Sequence, residues 1–75
     1  MKSIQISLQM AQKVKDFVAI TQDSPYEILL KSGKYVVDAK SILGIFSLDL
    51  SQPIVVEAYS DNCDELIEKL KKFEA

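Results

Sequence analysis

The sequence contains no histidine, arginine or tryptophan, and only one cysteine, two glycines and two prolines among its 75 residues. Without histidine there can be no histidine general base, no histidine metal ligand and no phosphohistidine. The single cysteine excludes an internal disulfide and zinc sites built from several cysteines. Glycine-rich phosphate loops and paired-carboxylate motifs are also missing, so no cofactor and no metal is expected.

The bulk composition indicates one globular domain spanning residues 1–75. Hydrophobic residues make up 48%, which suffices for a core, and the net charge of −2 is spread along the chain. No lysine cluster tracks a phosphate backbone, so direct nucleic-acid binding is not expected. No apolar run is long enough to span a membrane, and the N-terminus does not read as a signal peptide. Cys63, expected at the surface or half-buried, is consistent with a reducing cytoplasm.

The hydrophobic period changes once in the first part of the chain. Ile4, Ile6 and Leu8 alternate with polar residues, which is typical of a strand with one buried face. From about Gln9 the period becomes helical, and this helix should end near Gln22 because a proline follows shortly after. The predicted stripe of the helix consists of Met10, Val14, Phe17, Val18 and Thr21.

Two strands are predicted next, Tyr26–Lys31 and Tyr35–Lys40. They are joined at Ser32–Lys34, where Gly33 can supply the positive φ of a tight hairpin. Strands divided by short turns and helices in this way favour an antiparallel or mixed sheet.

The remaining elements are a short helix, a strand and a final helix. Ser41 is a favourable N-cap, so Ser41–Leu48 is predicted to form one or two helical turns. Ile54–Tyr59 is rich in β-branched residues and is predicted as a strand. Asp61 or Asn62 is expected to cap the last helix. Its predicted buried stripe is Leu66, Ile67, Leu70 and Phe73.

The segment Asp38–Leu48, DAKSILGIFSL, resembles the regulatory-serine region of HPr, the small histidine phosphocarrier of the bacterial sugar phosphotransferase system. The family pattern is Lys-Ser-Ile-Met-Gly, two apolar residues, then Ser-Leu. This chain matches the serine, the glycine and each apolar position. The resemblance implies an α+β fold, the HPr-like open-faced β-sandwich with the order βαββαβα. Its four-stranded, mainly antiparallel sheet would carry the helices on one face.

The chain departs from the family where the first strand meets the first helix. HPr proteins carry Gly-Leu-His-Ala-Arg-Pro there, and the histidine receives the phosphoryl group from phosphorylated Enzyme I. Ser7–Lys13 reads SLQMAQK instead, and the loop looks shortened. Gln9 or Met10 stands at the position of the lost phosphoacceptor, and Crh-type relatives have glutamine there. From the residue pattern alone, Met10 is expected in the core and Gln9 at a solvated helix start.

The resemblance implies that Ser41 is a site of regulatory phosphorylation, with Lys40 beside it on a partner-binding surface. In Gram-positive HPr, and in its histidine-lacking relative Crh, HPr kinase/phosphorylase phosphorylates the matching serine. The product binds the repressor CcpA in catabolite repression. The alternative interpretation is that Ser41 serves only as a helix N-cap, worth about 1 kcal/mol.

An apolar docking patch is predicted beside this serine. Leu43 and Phe46 share one face of the short helix, and Ile45 and Leu48 share the opposite face. If the second pair is buried, the first pair, flanked by Ile42, is exposed. Family members use the matching positions for partner contact. In the alternative, these residues fill the core, and for Ile42 both interpretations are equally favoured.

The sequence therefore predicts a non-enzymatic, HPr-like regulatory or adaptor protein that cannot act as a histidine phosphocarrier. The expected partners are HPr kinase/phosphorylase, a CcpA-like regulator and enzymes of the phosphotransferase system. The alternative is an inert or self-associating HPr-fold interaction module without a phosphoryl role. The expected oligomeric state is a monomer or a weak homodimer, in the cytoplasm.

Overall fold

The structure is a computed structural model that describes residues 1–75. The chain forms strands and helices in the order βαββαβα, as predicted. The strands are β1 (Lys2–Ile6), β2 (Ile28–Ser32), β3 (Tyr35–Asp38) and β4 (Ile54–Ala58), and the helices are α1 (Ala11–Gln22), α2 (Ile42–Phe46) and α3 (Asp64–Leu70). A short 3₁₀ turn, Lys71–Phe73, follows α3. None of the helices has the length and apolar character needed to cross a membrane.

The strands form one sheet in the order β1-β4-β2-β3, and every neighbouring pair is antiparallel. Val56 lies at the centre, opposite Ile4 on one side and Leu30 on the other. All three side chains are buried, so this face of the sheet carries the core. The prediction of a four-stranded, mainly antiparallel sheet is confirmed, with no parallel pair.

The β2–β3 hairpin turns where predicted. Ser32 is paired with Tyr35, and Gly33 between them has a φ of +59°. A side chain at this φ would be strained, so the glycine is needed for its backbone conformation. The turn leaves β3 at the edge of the sheet.

The core lies between the sheet and the three helices. Phe17 of α1 meets Phe73 of the 3₁₀ turn edge to face, with ring centroids 6.0 Å apart. This contact closes the end of the core over which the C-terminus packs, where Ser7 N–H donates to the Phe73 carbonyl at 2.8 Å. The largest fully buried side chains include Phe17, Ile6, Leu8, Ile28, Leu30, Ile45, Ile54 and Leu70.

The prediction that Met10 lies in the core is wrong. Met10 is 61% exposed, because α1 begins only at Ala11 and Met10 is its extended N-cap residue. Met10 therefore lies before the helix and is not part of its buried stripe. The other members of that stripe, Val14, Phe17, Val18 and Thr21, are buried as predicted.

The start of the last helix also differs from the prediction. Neither Asp61 nor Asn62 is the N-cap of α3; that position belongs to Cys63, and no side-chain hydrogen bond caps the helix. Cys63 is fully buried, not half-buried or exposed, and its thiol lies 3.4 Å from the Ser60 carbonyl oxygen. In the segment just before Cys63, Asn62 N–H donates to Ser60 Oγ at 3.1 Å.

Candidate functional site

Ser41 begins α2 as its N-cap. Its backbone is extended (φ −103°, ψ 106°), and its hydroxyl oxygen accepts a hydrogen bond from Gly44 N–H at 3.2 Å. This satisfies an amide that the helix itself cannot pair. The N-cap prediction is confirmed, and the residue is exposed to solvent.

The segment that precedes Ser41 is fastened to the C-terminal end of α1. The buried Thr21 hydroxyl lies 2.9 Å from the Ala39 carbonyl oxygen, to which it donates. Gln22 Nε2 donates to the Lys40 carbonyl at 3.4 Å, and the Lys40 ammonium donates to the Ser24 carbonyl at 2.7 Å. These bonds hold the start of α2 in place. Lys40 stays a predicted partner-binding residue, but its ammonium is already engaged within the chain.

A tight turn connects β3 to α2 through Asp38. Its carbonyl oxygen accepts Ser41 N–H at 3.0 Å, and its carboxylate Oδ1 accepts Lys40 N–H at 2.8 Å. Aspartate is favoured in such turns because its short side chain reaches the backbone two residues ahead. The position of Ser41 is thus set from both sides, by α1 and by the end of β3.

Gly44 allows α2 to lie close to the sheet. A Cβ atom placed on Gly44 would be 3.3 Å from Ser41 Oγ and 3.4 Å from Val37 Cβ. Any larger side chain would press on both the cap and β3. Position 44 therefore requires a glycine because α2 packs closely against β3 there.

The exposed face of α2 forms the predicted apolar patch, named here the α2 patch (Ile42, Leu43 and Phe46). Leu43 is 81% exposed, Phe46 44% and Ile42 36%. Ile45 on the opposite face of α2 is buried, and so is Leu48, which lies just after the helix ends. The predicted division of this helix into an inner and an outer face is confirmed. An exposed apolar cluster of this kind, next to an exposed serine, is a feature of docking surfaces.

Gln9 and Met10 lie where the first helix begins, and both are exposed. Met10 caps α1 without a side-chain hydrogen bond, and neither residue is hydrogen-bonded to the α2 segment. A carboxamide and a thioether cannot accept and pass on a phosphoryl group as an imidazole does. Their assignment to the place of a lost phosphoacceptor stays a prediction. No group of carboxylates and thiols is arranged to hold a metal ion.

A charged network on the outer face of the sheet was not predicted. Tyr59 Oη donates to Glu57 Oε1 at 2.7 Å, and Lys31 Nζ lies 3.0 Å from the same oxygen. The hydrogen bond from Tyr59, and then that from Lys31, hold the pKa of the Glu57 carboxyl below its usual range. Glu57 in turn raises the pKa values of Lys31 and Tyr59. A glutamate within the apolar run of β4 was the signal in the sequence.

The comparisons with known proteins support the resemblance to HPr. The structure matches HPr-C-His from Thermoanaerobacter tengcongensis with a TM-score of 0.81 and 29% sequence identity, covering 96% of this chain and 89% of that one. It matches the phosphocarrier protein HPr from Bacillus anthracis str. Ames with a TM-score of 0.74 and 26% identity, covering 99% and 94%. No family model and no curated protein sequence matches the chain. The chain therefore has the fold of HPr proteins over nearly its whole length.

Proposed function

We propose that this protein is an HPr-like regulatory or adaptor protein of the sugar phosphotransferase system. It is not an enzyme, it carries no phosphoryl group on histidine, and it acts in the cytoplasm through the Ser41 segment. The fold of its structural neighbours supports the relation to the phosphotransferase system. The absence of histidine from the entire sequence supports the loss of the carrier role, because no other alignment of the first loop can supply the imidazole.

The observation that carries the proposal is the exposed Ser41 hydroxyl beside the α2 patch. Leu43 and Phe46 belong to the same short helix that Ser41 starts, so one partner surface could contact all three residues. Apolar anchors surrounded by polar contacts supply most of the binding energy in protein interfaces. The serine would then act as a charge switch at the edge of an apolar anchor.

The surroundings of Ser41 determine what a phosphoryl group there would do. It would add a charge of about −1.5 to −2 at neutral pH, together with strong acceptor oxygens. The adjacent Lys40 ammonium keeps its charge and two of its three donors, and its bond to the Ser24 carbonyl at 2.7 Å ties the side chain to the segment after α1. A single positive charge does not balance the phosphoryl group, so the remaining negative charge would be offered to the cations of a partner. Because Ser41 already accepts a hydrogen bond through its oxygen, the modification need not remove the cap.

Phosphorylation with HPr kinase/phosphorylase and ATP, followed by intact-mass measurement, tests the switch. The expected result is the addition of one phosphoryl group to the wild-type chain and none to Ser41→Ala. Ser47→Ala is the matched control, since Ser47 is an exposed serine at the other end of α2 and should leave the modification intact. A wild-type chain that gains no phosphoryl group would contradict the switch and favour the interaction module without a phosphoryl role.

Binding of the phosphorylated chain to a CcpA-like regulator tests the docking surface. Leu43→Ser and Phe46→Ser should each weaken binding about tenfold or more, as loss of an interface anchor does. Ala19→Ser is the control, because Ala19 is an exposed apolar residue of α1 that belongs neither to the α2 patch nor to β3. Equal binding by all three variants would exclude the α2 patch as the contact surface.

A further inference from the structure

Strand β3 has a free edge. It pairs only with β2, in a ladder in which Ala39 N–H donates to the Ile28 carbonyl at 2.9 Å. Main-chain groups alternate in direction along a strand. The N–H and carbonyl groups of Tyr35 and Val37 therefore also point toward β2, and the N–H and carbonyl of Val36 point away from it. The Asp38 carbonyl at this edge already accepts Ser41 N–H, so Val36 carries the unpaired main-chain groups that can pair with another strand.

The side chains of this edge are also open to solvent. Tyr35 is 71% exposed and Val36 is 53% exposed. The side chain of Lys34, in the hairpin turn directly before β3, forms no hydrogen bond and no ion pair in the chain. Asp38, which ends the strand, accepts the Ser41 amide with its carbonyl and the Lys40 amide with carboxylate Oδ1, and its carboxylate forms no ion pair. Both ends of the edge therefore hold a charge without a charged partner.

We propose that β3 pairs antiparallel with β3 of a second copy of this chain, around a two-fold axis at Val36. In this register Val36 lies opposite Val36 of the second copy, and their outward main-chain groups can exchange hydrogen bonds. Lys34 of each copy lies opposite Asp38 of the other. Tyr35 lies opposite Val37 of the other, an aromatic and β-branched pair. The two sheets become one continuous sheet of both copies.

The charges select this register over its neighbours. A slip by one residue would place a residue whose N–H and carbonyl point toward β2 opposite one whose groups point outward. These two residues could not form hydrogen bonds between the two copies. A slip by two residues that places Tyr35 on the axis would put Lys34 opposite Val36 and Asp38 opposite Ser32, and both ion pairs would be lost. Only the register centred on Val36 joins opposite charges at both ends. An edge with a lysine directly before the strand and an aspartate at its end is complementary to its own antiparallel copy.

The joint is small, because β3 has four residues. Association through it should be weak and should rise with concentration. The surface is separate from the α2 patch, so the proposal does not depend on the proposed function. Each proposal can fail while the other stands.

Sedimentation velocity over about a hundredfold range of concentration measures the association, up to near-millimolar protein. The wild-type chain should shift reversibly from monomer to dimer, and amide resonances of Val36 and Asp38 should shift with it. Lys34→Glu should raise the dissociation constant about tenfold or more, because it replaces both ion pairs by like charges. Lys15→Glu makes the same charge change at an exposed α1 position and should leave association unchanged.

A charge exchange makes the test specific to the register. Asp38→Lys alone should also weaken self-association, whereas a mixture of Lys34→Glu and Asp38→Lys chains should form a heterodimer with both ion pairs restored, one with its charges reversed and one as in the wild-type chain. Circular dichroism checks that each variant is folded. Asp38→Asn, whose amide oxygen can still accept from Lys40 N–H, serves if the lysine variant unfolds, and it should weaken association without a rescue.

The proposal is overturned by a chain that stays monomeric at near-millimolar concentration. It is also overturned if a dimer forms but Lys34→Glu does not weaken it. A dimer that is lost in Phe46→Ser and kept in Lys34→Glu would place the contact on the α2 patch instead.

Discussion

The Ser41 hydroxyl and Gly44 are fitted to each other. The hydroxyl oxygen accepts Gly44 N–H at 3.2 Å, and it also lies 3.3 Å from the point where a Gly44 Cβ would stand. The residue that starts α2 and the glycine that lets α2 approach the sheet are thus parts of one contact. The exposed Leu43 lies between them in the sequence. The candidate site is therefore built on a short, locally determined turn of helix.

Replacement of Ser41 should separate its capping role from its proposed modification. Ser41→Ala should lower the free energy of unfolding by about 1 kcal/mol, because Gly44 N–H loses its acceptor. Ser41→Asp should stay close to wild type, since aspartate is as good an N-cap as serine. Urea denaturation measures both. An aspartate variant as unstable as the alanine variant would contradict the capping geometry.

The two faces of α2 should respond very differently to truncation. Ile45→Ala should cost about 2–5 kcal/mol, because Ile45 is fully buried and its removal leaves a cavity. Leu43→Ala should change the stability by less than about 0.5 kcal/mol, because the side chain is 81% exposed. Urea denaturation of the two variants gives the comparison. Similar losses would mean that the helix is rotated relative to the structure.

Loss of the Thr21 hydroxyl should loosen the attachment of α2. Thr21→Val should cost about 1–3 kcal/mol, because the Ala39 carbonyl loses its buried donor. Hydrogen exchange should also speed up at the Lys40 and Ser41 amides. Thr21→Ser, which keeps the hydroxyl and loses a methyl group, is the control. If Thr21→Ser and Thr21→Val speed hydrogen exchange equally at these amides, the Thr21 hydroxyl does not anchor the start of α2.

The Glu57 network should contribute to the pH dependence of stability. Because its folded-state pKa is lowered, Glu57 stabilises the fold above its unfolded pKa of about 4.3, and this contribution is lost as the pH falls through the folded value. Lys31 has a raised pKa, so its contribution is present below about 10.4 and is lost as the pH rises through its folded value.

Glu57→Gln should therefore lose less stability than wild type between neutral and acidic pH. Urea midpoints measured across this range test the expectation. Glu65→Gln removes a carboxylate from α3 and controls for the change in net charge. An acid profile of Glu57→Gln identical to that of wild type would show that the network does not couple to folding.

Features fixed by neighbours in the chain could be read from the sequence. The hairpin at Gly33 follows from a local φ, and the cap at Ser41 follows from a side chain that reaches three residues ahead. The burial of Ile45 and the exposure of Leu43 follow from helical spacing. The count of histidines needs no structure at all, and it alone excludes a phosphohistidine in this chain.

Features that join distant parts of the chain came only from the tertiary structure. The sequence did not indicate that Thr21 reaches Ala39, that Lys40 is held by Ser24, or that Cys63 is sealed in the core. Each depends on where α1 and α3 pack, which is a sum of many weak contacts across the core. The free edge of β3 depends on the strand order, which no single strand encodes. Local propensity thus determined which elements form and what the serine segment exposes, and long-range packing decided what those elements are joined to and which edge remains open.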